Sequence, residues 1–313
     1  MGILLSKDTR TTEGTTPNVA AKQDGGPPPL MERPWRDFNW RDKDELLYEV
    51  SNYQIKGGVK YLNCMLLGQA ASGKTSFFNT CASALKNKDT VLAPLTVYKP
   101  SEKSVTSTFE THALYTKDEK TLPVRIFDCR GLHNVAGVLP EDVRQMVEGH
   151  IKSGYQINPG ASIQSNHAKY RLDAQLGDKM HCLVYVVNAD NPKAALADES
   201  AVEIFANMRK LLAPLNLPQL VLMNKVDRLR ASLSDDISLL FKSNEVYNKL
   251  KVIADFMVLP EMNVLPMSNY HMETVPDPKK DVLALSNLKM IMDRANDFLQ
   301  RQDKTNIPED FLN

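Results

Sequence analysis

The feature that most constrains this chain is an eight-residue loop, Gly68-Gln69-Ala70-Ala71-Ser72-Gly73-Lys74-Thr75. It joins an apolar run, Tyr61 to Leu67, to a stretch with helical spacing, Thr75 to Leu85. G-x-x-x-x-G-K-[ST] between a strand and a helix is the P-loop pattern. At average residue frequencies it arises by chance in roughly one chain in a hundred of this length, so its placement carries the weight. The backbone N–H groups of such a loop, here Gly68 through Ser76, converge on phosphate oxygens, aided by the positive end of the following helix. Gly68 and Gly73 permit the backbone angles and the close approach. Lys74 places a point charge on the β- and γ-phosphates and is a candidate catalytic residue, and the Thr75 hydroxyl is a candidate Mg²⁺ ligand. A plain glycine turn before a helix is the alternative, and two further motifs in the expected order argue against it.

The first of these is Asp128-Cys129-Arg130-Gly131, closing the apolar run Leu122 to Phe127. In P-loop proteins a strand-terminal Asp reaches Mg²⁺, usually through water, and Gly131 would let its N–H face the γ-phosphate. The second is Asn224-Lys225-Val226-Asp227, directly after Leu220 to Met223. It resembles the base-reading N-K-x-D motif of Ras-like GTPases. A carboxylate on Asp227 accepts from guanine N1–H and the 2-amino group together. Adenine offers neither, and a site built for those bonds rejects it by as much as ~10⁴-fold. Lys225 is expected to lie over the base and brace the P-loop. Ser268-Asn269-Tyr270 follows another apolar run, 263–267, where GTPases place a loop whose backbone touches guanine. Ser268 and Asn269 therefore join the expected site, whose ligands are GTP or GDP with Mg²⁺.

Switch I is less legible. Ser104, Thr106, Ser107 and Thr108 are candidates, with Thr106 favoured to complete the Mg²⁺ shell and sense the γ-phosphate. A solvated Ser/Thr-rich turn is the alternative. Ras-like enzymes often place a Gln just after D-x-x-G to orient the attacking water, and here that position is Leu132, followed by His133. Slow intrinsic hydrolysis, or catalysis completed by a partner, is the expectation. His133 is a candidate substitute, although a lone loop histidine is more often simply exposed. Arg130 stands between transition-state stabilisation and a surface salt bridge.

Around these motifs strands alternate with helices. Strands are expected at Ser107 to Tyr115 (an edge strand), Met180 to Asn188 and Asn263 to Met267. Helices are expected at Leu196 to Leu212, Ile237 to Phe256 and Asp281 to Leu299. Such alternation predicts an α/β fold, a Ras-like P-loop G domain with a mostly parallel sheet covered by helices on both faces. Residues 59–305 form that domain, with 132–179 as an insert after switch II. Before it, 35–58 carry Trp35, Phe38 and Trp40 and then a helix started by Asp42 and Glu45. The stripe of that helix, Leu46, Leu47, Val50 and Tyr53, is expected to pack with the tryptophans on the main domain. Residues 1–34 are polar and Gly/Pro-rich near their end, which predicts a disordered tail.

With 38 Lys plus Arg against 38 Asp plus Glu, the net charge of +0 lacks the basic footprint of a nucleic-acid binder. The four cysteines, Cys64, Cys81, Cys129 and Cys182, show no metal-binding spacing and read as reduced core thiols of a cytoplasmic protein. No segment approaches the ~18 apolar residues of a membrane span. The start is too short for a signal-peptide core and fits M-G-x-x-x-[ST], with Gly2, Ser6 and Lys7, which predicts N-myristoylation at Gly2. A chance match in a disordered tail is the alternative. One acyl chain beside the weak basic patch of Lys7, Arg10 and Lys22 supports only reversible membrane contact.

The chain resembles the interferon-induced protein 44 family, also called the 44-like family, within the Ras-like class. The resemblance rests on Pro34-Trp35-Arg36 through Trp40, on the P-loop with Ser76-Phe77-Phe78-Asn79, and on Gly154-Tyr155-Gln156-Ile157-Asn158-Pro159. Met267-Ser268-Asn269-Tyr270 and Asp281-Val282-Leu283-Ala284-Leu285-Ser286 match as well, so it covers roughly residues 34 to 300. The resemblance implies a cytoplasmic, infection-responsive protein linked to antiviral or innate immune defence. Some relatives have a degraded base-reading motif, whereas all four residues are intact here. Two functions stay open: a GTP-hydrolysing switch or effector, and a GTP-binding scaffold of negligible turnover acting through protein partners. A nucleotide-dependent assembly of copies of the chain fits either. A P-loop kinase using ATP is a third reading, against which Asn224 to Asp227 argue.

Overall fold

The structure is a computed structural model that describes residues 29–87, 108–129, 131, 137–190 and 199–305. Helix α1 (Lys43–Ser51) precedes β1 (Leu62–Gly68) and α2 (Lys74–Lys86). Then come β2 (Thr108–Tyr115), β3 (Thr121–Asp128), α3 (Pro140–Val147), β4 (Tyr155–Gln156) and β5 (Cys182–Asn188). Helix α4 (Glu199–Leu212), β6 (Gln219–Asn224), α5 (Ala231–Asp235), α6 (Asn244–Met257), β7 (Val264–Met267) and α7 (Pro278–Thr305) complete the order.

The strands form one 7-stranded sheet in the order β4-β2-β3-β1-β5-β6-β7. From β3 to β7 all pairings are parallel, while β2 runs antiparallel to β3 and β4 antiparallel to β2. Strand β1, Leu-Asn-Cys-Met-Leu-Leu-Gly, is buried at every position, the continuous run that a strand covered on both faces requires. Along β5 side chains alternate between two helical layers. Tyr185 meets Phe205 of α4 at 5.9 Å between ring centroids, and Cys182, on the opposite face, lies beside Arg294 of α7. Helix α7 buries Val282, Leu285, Leu288, Met292, Ala295 and Leu299, one helical stripe facing the sheet and α2. The α/β sheet with helices on both faces is therefore as the sequence predicts. All four cysteines are buried and free.

Four details depart from the sequence reading. The expected helix Ile237 to Phe256 is two pieces, a 3₁₀ segment Ile237–Lys242 and then α6. Ser243 separates them in an extended conformation, and its side chain caps α6 by accepting from the Val246 N–H at 3.3 Å. The apolar spacing runs straight through this break, since Ile237, Leu240, Phe241, Val246 and Leu250 are all buried. Second, β2 is not a bare edge. Tyr155 and Gln156 of the insert pair with Phe109 and Thr108. Gly154 N–H also donates to Phe109 O at 2.7 Å. Within the insert, Asp142 of α3, a buried carboxylate, accepts from Ile163 N–H at 2.9 Å and ties its two halves together.

Third, the tail boundary falls earlier than residue 34. Met31 N–H donates to Lys242 O at 2.8 Å, because the end of the 3₁₀ segment leaves carbonyls in need of donors, and Asn244 Nδ2 donates to Pro29 O at 3.3 Å. Residues 1–28 lie outside the described residues. Fourth, the N-terminal segment docks at two places. Trp35, Phe38 and Trp40 gather around Phe241 at ring distances of 5.1, 4.6 and 6.0 Å. Helix α1 instead lays Leu46 and Val50 on α7. Asp42 does cap α1, accepting from Asp44 N–H at 2.7 Å.

Candidate functional site

Because β1, β3, β5, β6 and β7 run parallel, their carboxyl ends share one rim of the sheet, where ligand sites of open α/β folds lie. The P-loop leaves β1 at Gly68 and enters α2 at Lys74, passing through Ala71 (φ +58°) and Gly73 (φ +99°). Gly73 is required twice over. Its φ disfavours L side chains, and a Cβ there would stand 2.0 Å from Asn224 Nδ2. A Cβ at Gly131 would stand 2.5 Å from Ala70 N, so Gly131 lies directly on the P-loop.

Lys74 is almost wholly buried, and its Nζ donates to Gly68 O at 3.1 Å and Gln69 O at 3.0 Å. The Thr75 hydroxyl donates to Asp128 Oδ2 at 2.8 Å. Asp128 is 4% exposed, and its other oxygen, Oδ1, is buried with no partner among the described residues. Ser72 Oγ, Ser268 Oγ and Asn269 Oδ1 are buried and unpartnered in the same sense. Buried polar atoms are costly unless bonded, so their concentration on this rim fits a polar ligand. A carboxylate oxygen beside a hydroxyl is a donor set that suits a hard cation such as Mg²⁺. Cys129, between these groups, is no nucleophile: burial pushes its thiol up to about 12, against a pull from Lys74 and with a lesser push from the Asp128 charge.

The base-side residues join this cluster through Asn224. Its Nδ2 donates to Ser72 O at 2.9 Å, and its Oδ1 accepts from Asn269 Nδ2 at 3.0 Å. Asn269 Nδ2 also reaches Gly73 O at 3.4 Å. The Asn224 amide thus braces P-loop against base-side loop. Lys225 takes a left-handed φ of +61° and starts a 3₁₀ turn, Val226–Leu229, that carries half-buried Asp227. Burial lowers the Lys225 pKa, opposed by the carboxylates of Asp190 and Asp227 and assisted by Arg228. Ser76 continues the first turn of α2, its carbonyl taking the Thr80 hydroxyl at 2.8 Å.

The structure therefore gathers Gly68 to Ser76, Asp128, Gly131, Asn224, Lys225, Asp227, Ser268 and Asn269 at one rim. Thr108 opens β2 with its hydroxyl given to Gln156 Oε1 at 3.2 Å, so it serves the insert. Ser104, Thr106, Ser107, Arg130, Leu132, His133 and Gly2 lie outside the described residues. Sequence reading missed Asn188 and Asp190. Asn188 ends β5 in register with Asn224 and has a buried, unpartnered Oδ1 among the described residues. Asp190 pairs with Arg228 at 3.2 Å beside Lys225. The signal was present as a polar residue closing an apolar strand, Cys182–Asn188.

No family model matches this sequence. Among curated proteins it is similar to interferon-induced protein 44 of Mus musculus, 30% identical over 260 residues, covering 82% of this chain and 60% of that protein. The Homo sapiens protein of that name is 28% identical over 261 residues, covering 82% and 58%. Interferon-induced protein 44-like of Homo sapiens is 25% identical over 268 residues, covering 82% and 57%. The chain thus spans less than two thirds of the length of these relatives. Among solved structures, a probable GTP-binding protein engB aligns at TM-score 0.40 and 14% identity, over 76% of this chain and 99% of that one. Toc33 from Arabidopsis thaliana aligns at TM-score 0.40 and 14% identity, over 81% and 91%.

Proposed function

We infer that this chain, a homologue of the interferon-induced 44 and 44-like proteins, binds GTP and GDP with Mg²⁺ and hydrolyses GTP slowly. The observation that carries the reading is the Thr75–Asp128 hydrogen bond, with the second Asp128 oxygen buried and unpartnered beside the P-loop. Thr75 and Asp128 would hold the cation, which supplies charge neutralisation to the phosphates when bound. Lys74 and the loop N–H groups bind and orient the phosphates. Asp227 accepts from the guanine edge, while Asn224 and Asn269 hold the two loops in one register. Leu132, in place of a water-orienting Gln, is the reason for slow turnover. His133 is the remaining candidate for that role and Thr106 for the switch I hydroxyl.

In cells the same reading is an innate-immune effector or switch in the cytoplasm, acting through protein partners that include further copies of the chain in a nucleotide-dependent assembly. Gly2 myristoylation would add reversible membrane contact, and no helix among the described residues is long and apolar enough to cross a membrane. Intact mass from eukaryotic cells, wild type against Gly2→Ala, tests the acylation.

The principal experiment is to identify the co-purifying nucleotide and to titrate GTP and ATP into wild type and Lys74→Ala. The loss of two charge-assisted contacts predicts a drop in GTP affinity of at least about a hundredfold, with the fold retained. Unchanged GTP affinity in folded Lys74→Ala overturns the reading. Single-turnover hydrolysis of wild type, Leu132→Gln and His133→Ala then separates switch from scaffold. Wild-type turnover of order 1 s⁻¹, the range of assisted enzymes, contradicts slow intrinsic hydrolysis.

A further inference from the structure

The buried carboxylate of Asp281, 1% exposed in the first turn of α7, takes part in no contact with the P-loop. Its Oδ1 accepts from the Tyr270 hydroxyl at 2.8 Å, and its Oδ2, which takes no hydrogen bond among the described residues, lies 2.7 Å from Lys43 Nζ as an ion pair. Lys43 is the first residue of α1, outside the sheet and its crossovers. Tyr270 directly follows Asn269, the residue that reaches Asn224 and Gly73. The phenolic proton has two acceptors, Asp281 Oδ1 at 2.8 Å and Asp277 O at 3.0 Å, and the shorter bond to a carboxylate is the stronger. Asp277 N–H returns a bond to the same hydroxyl at 2.8 Å. Tyr270 N–H donates to Thr80 Oγ1 at 3.1 Å, fastening the loop backbone to α2.

We propose that Lys43, Asp281 and Tyr270 form a positioning relay that sets the pose of the base-side loop, so that α1 governs how long guanine nucleotide stays bound. The inference rests on the guanine reading above. The three side chains act through Asn269 and Ser268. The physical basis is that adjacent residues cannot move independently. Tyr270, held at both its N–H and its hydroxyl, confines Asn269 to the place where it bridges Asn224 and Gly73. Lys43 neutralises a carboxylate that would otherwise be buried with only a phenol beside it, a costly arrangement that the loop would relieve by shifting. Lys280 passes over the Tyr270 ring at 5.9 Å and pairs with Glu273, so it holds the outer part of the same loop.

The test is dissociation of mant-GDP, chased with excess GDP, from the full chain as wild type, Lys43→Ala, Lys43→Arg and Tyr270→Phe. Tyr53→Phe is the control, because Tyr53 gives a 2.8 Å hydrogen bond to Asp293 elsewhere on α7. Loss of the buried ion pair in Lys43→Ala, or of the buried hydrogen bond to a carboxylate in Tyr270→Phe, predicts dissociation about tenfold faster. Lys43→Arg is expected to stay near wild type, and Tyr53→Phe to leave dissociation unchanged whatever it does to the melting temperature. Rates within about twofold of wild type in both folded variants overturn the relay, as does equal acceleration in Tyr53→Phe. If Lys43→Ala does not fold, Tyr270→Phe decides alone. Wild-type protein that takes up no mant-GDP overturns the guanine reading and the relay with it, whereas uptake with unaffected variants overturns only the relay.

Discussion

The hydroxyl of Thr75 donates to Asp128 Oδ2 across 2.8 Å, joining the start of α2 to the end of β3 at the sheet rim. Both belong to elements flanking β1, so parallel pairing of β1 with β3 brings them together. Asp128→Asn keeps the shape and removes a buried charge, and should melt at or above the wild-type temperature. It should also lose the Mg²⁺-dependent part of nucleotide affinity, of the order of 1.5–3 kcal/mol for a contact to a charged group. Titrations in Mg²⁺ and in EDTA measure this. An undiminished Mg²⁺ effect in the variant means that Asp128 is not at the cation.

Gly73→Ala should be costly for two independent reasons, the φ of +99° and the 2.0 Å approach of Asn224 Nδ2. A loss of roughly 1–3 kcal/mol is expected, with weakened nucleotide binding as Asn224 is pushed from Ser72 O. Gly58→Ala, where a Cβ meets nothing within 4 Å, is the matched control and should be neutral. Equal chemical-denaturation midpoints for the two variants would show that the P-loop tolerates the methyl group.

Base choice should follow Asp227. Asp227→Asn replaces an acceptor with a donor, setting N–H against guanine N–H, at about 1–3 kcal/mol per unmatched contact. Xanthine carries a carbonyl at the place of the amino group and suits the new donor. GTP, XTP and ATP affinities measured side by side should show GTP losing and XTP gaining. Full GTP preference retained in the variant would reduce Asn224 to Asp227 to an ordinary turn.

His181 should make stability fall on acidification. Its Nδ1 accepts from Asn63 N–H at 2.9 Å and its Nε2–H donates to Leu176 O at 3.0 Å, an arrangement open only to the neutral ring. Burial lowers its pKa below the usual 6.5, the Leu176 hydrogen bond opposing. The unfolded chain therefore binds the proton first. The contribution is fully present above about pH 6.5 and declines below it by up to about 1.4 kcal/mol per pH unit until the folded-state pKa is reached. Melting temperatures of wild type and His181→Gln between about pH 7 and pH 5 should converge as pH falls. Parallel profiles would mean that the imidazole does not titrate with unfolding.

The phosphate loop, the Asp128 turn and the Asn224 to Asp227 turn were legible in the sequence because each is a contiguous run. The chemistry of each is carried by neighbouring residues, and the buried runs that end at Leu67, Phe127 and Met223 placed them at strand ends. Local spacing could not reveal the break at Ser243, where the apolar period continues through a capped turn, or β4, which is two residues long and too short to show a period. Nor could it reveal which loops meet. Asn224 reaches Ser72 over 152 residues and Asn269 reaches Gly73 over 196, distances closed only when the order β3-β1-β5-β6-β7 brings the strand ends to one rim. Sequence determined which groups are offered to the proposed phosphate and base. The tertiary structure alone decided which of them brace one another, and that Lys43 of α1 neutralises Asp281 behind the base-side loop, because a buried charge takes whichever partner the packing of distant elements supplies.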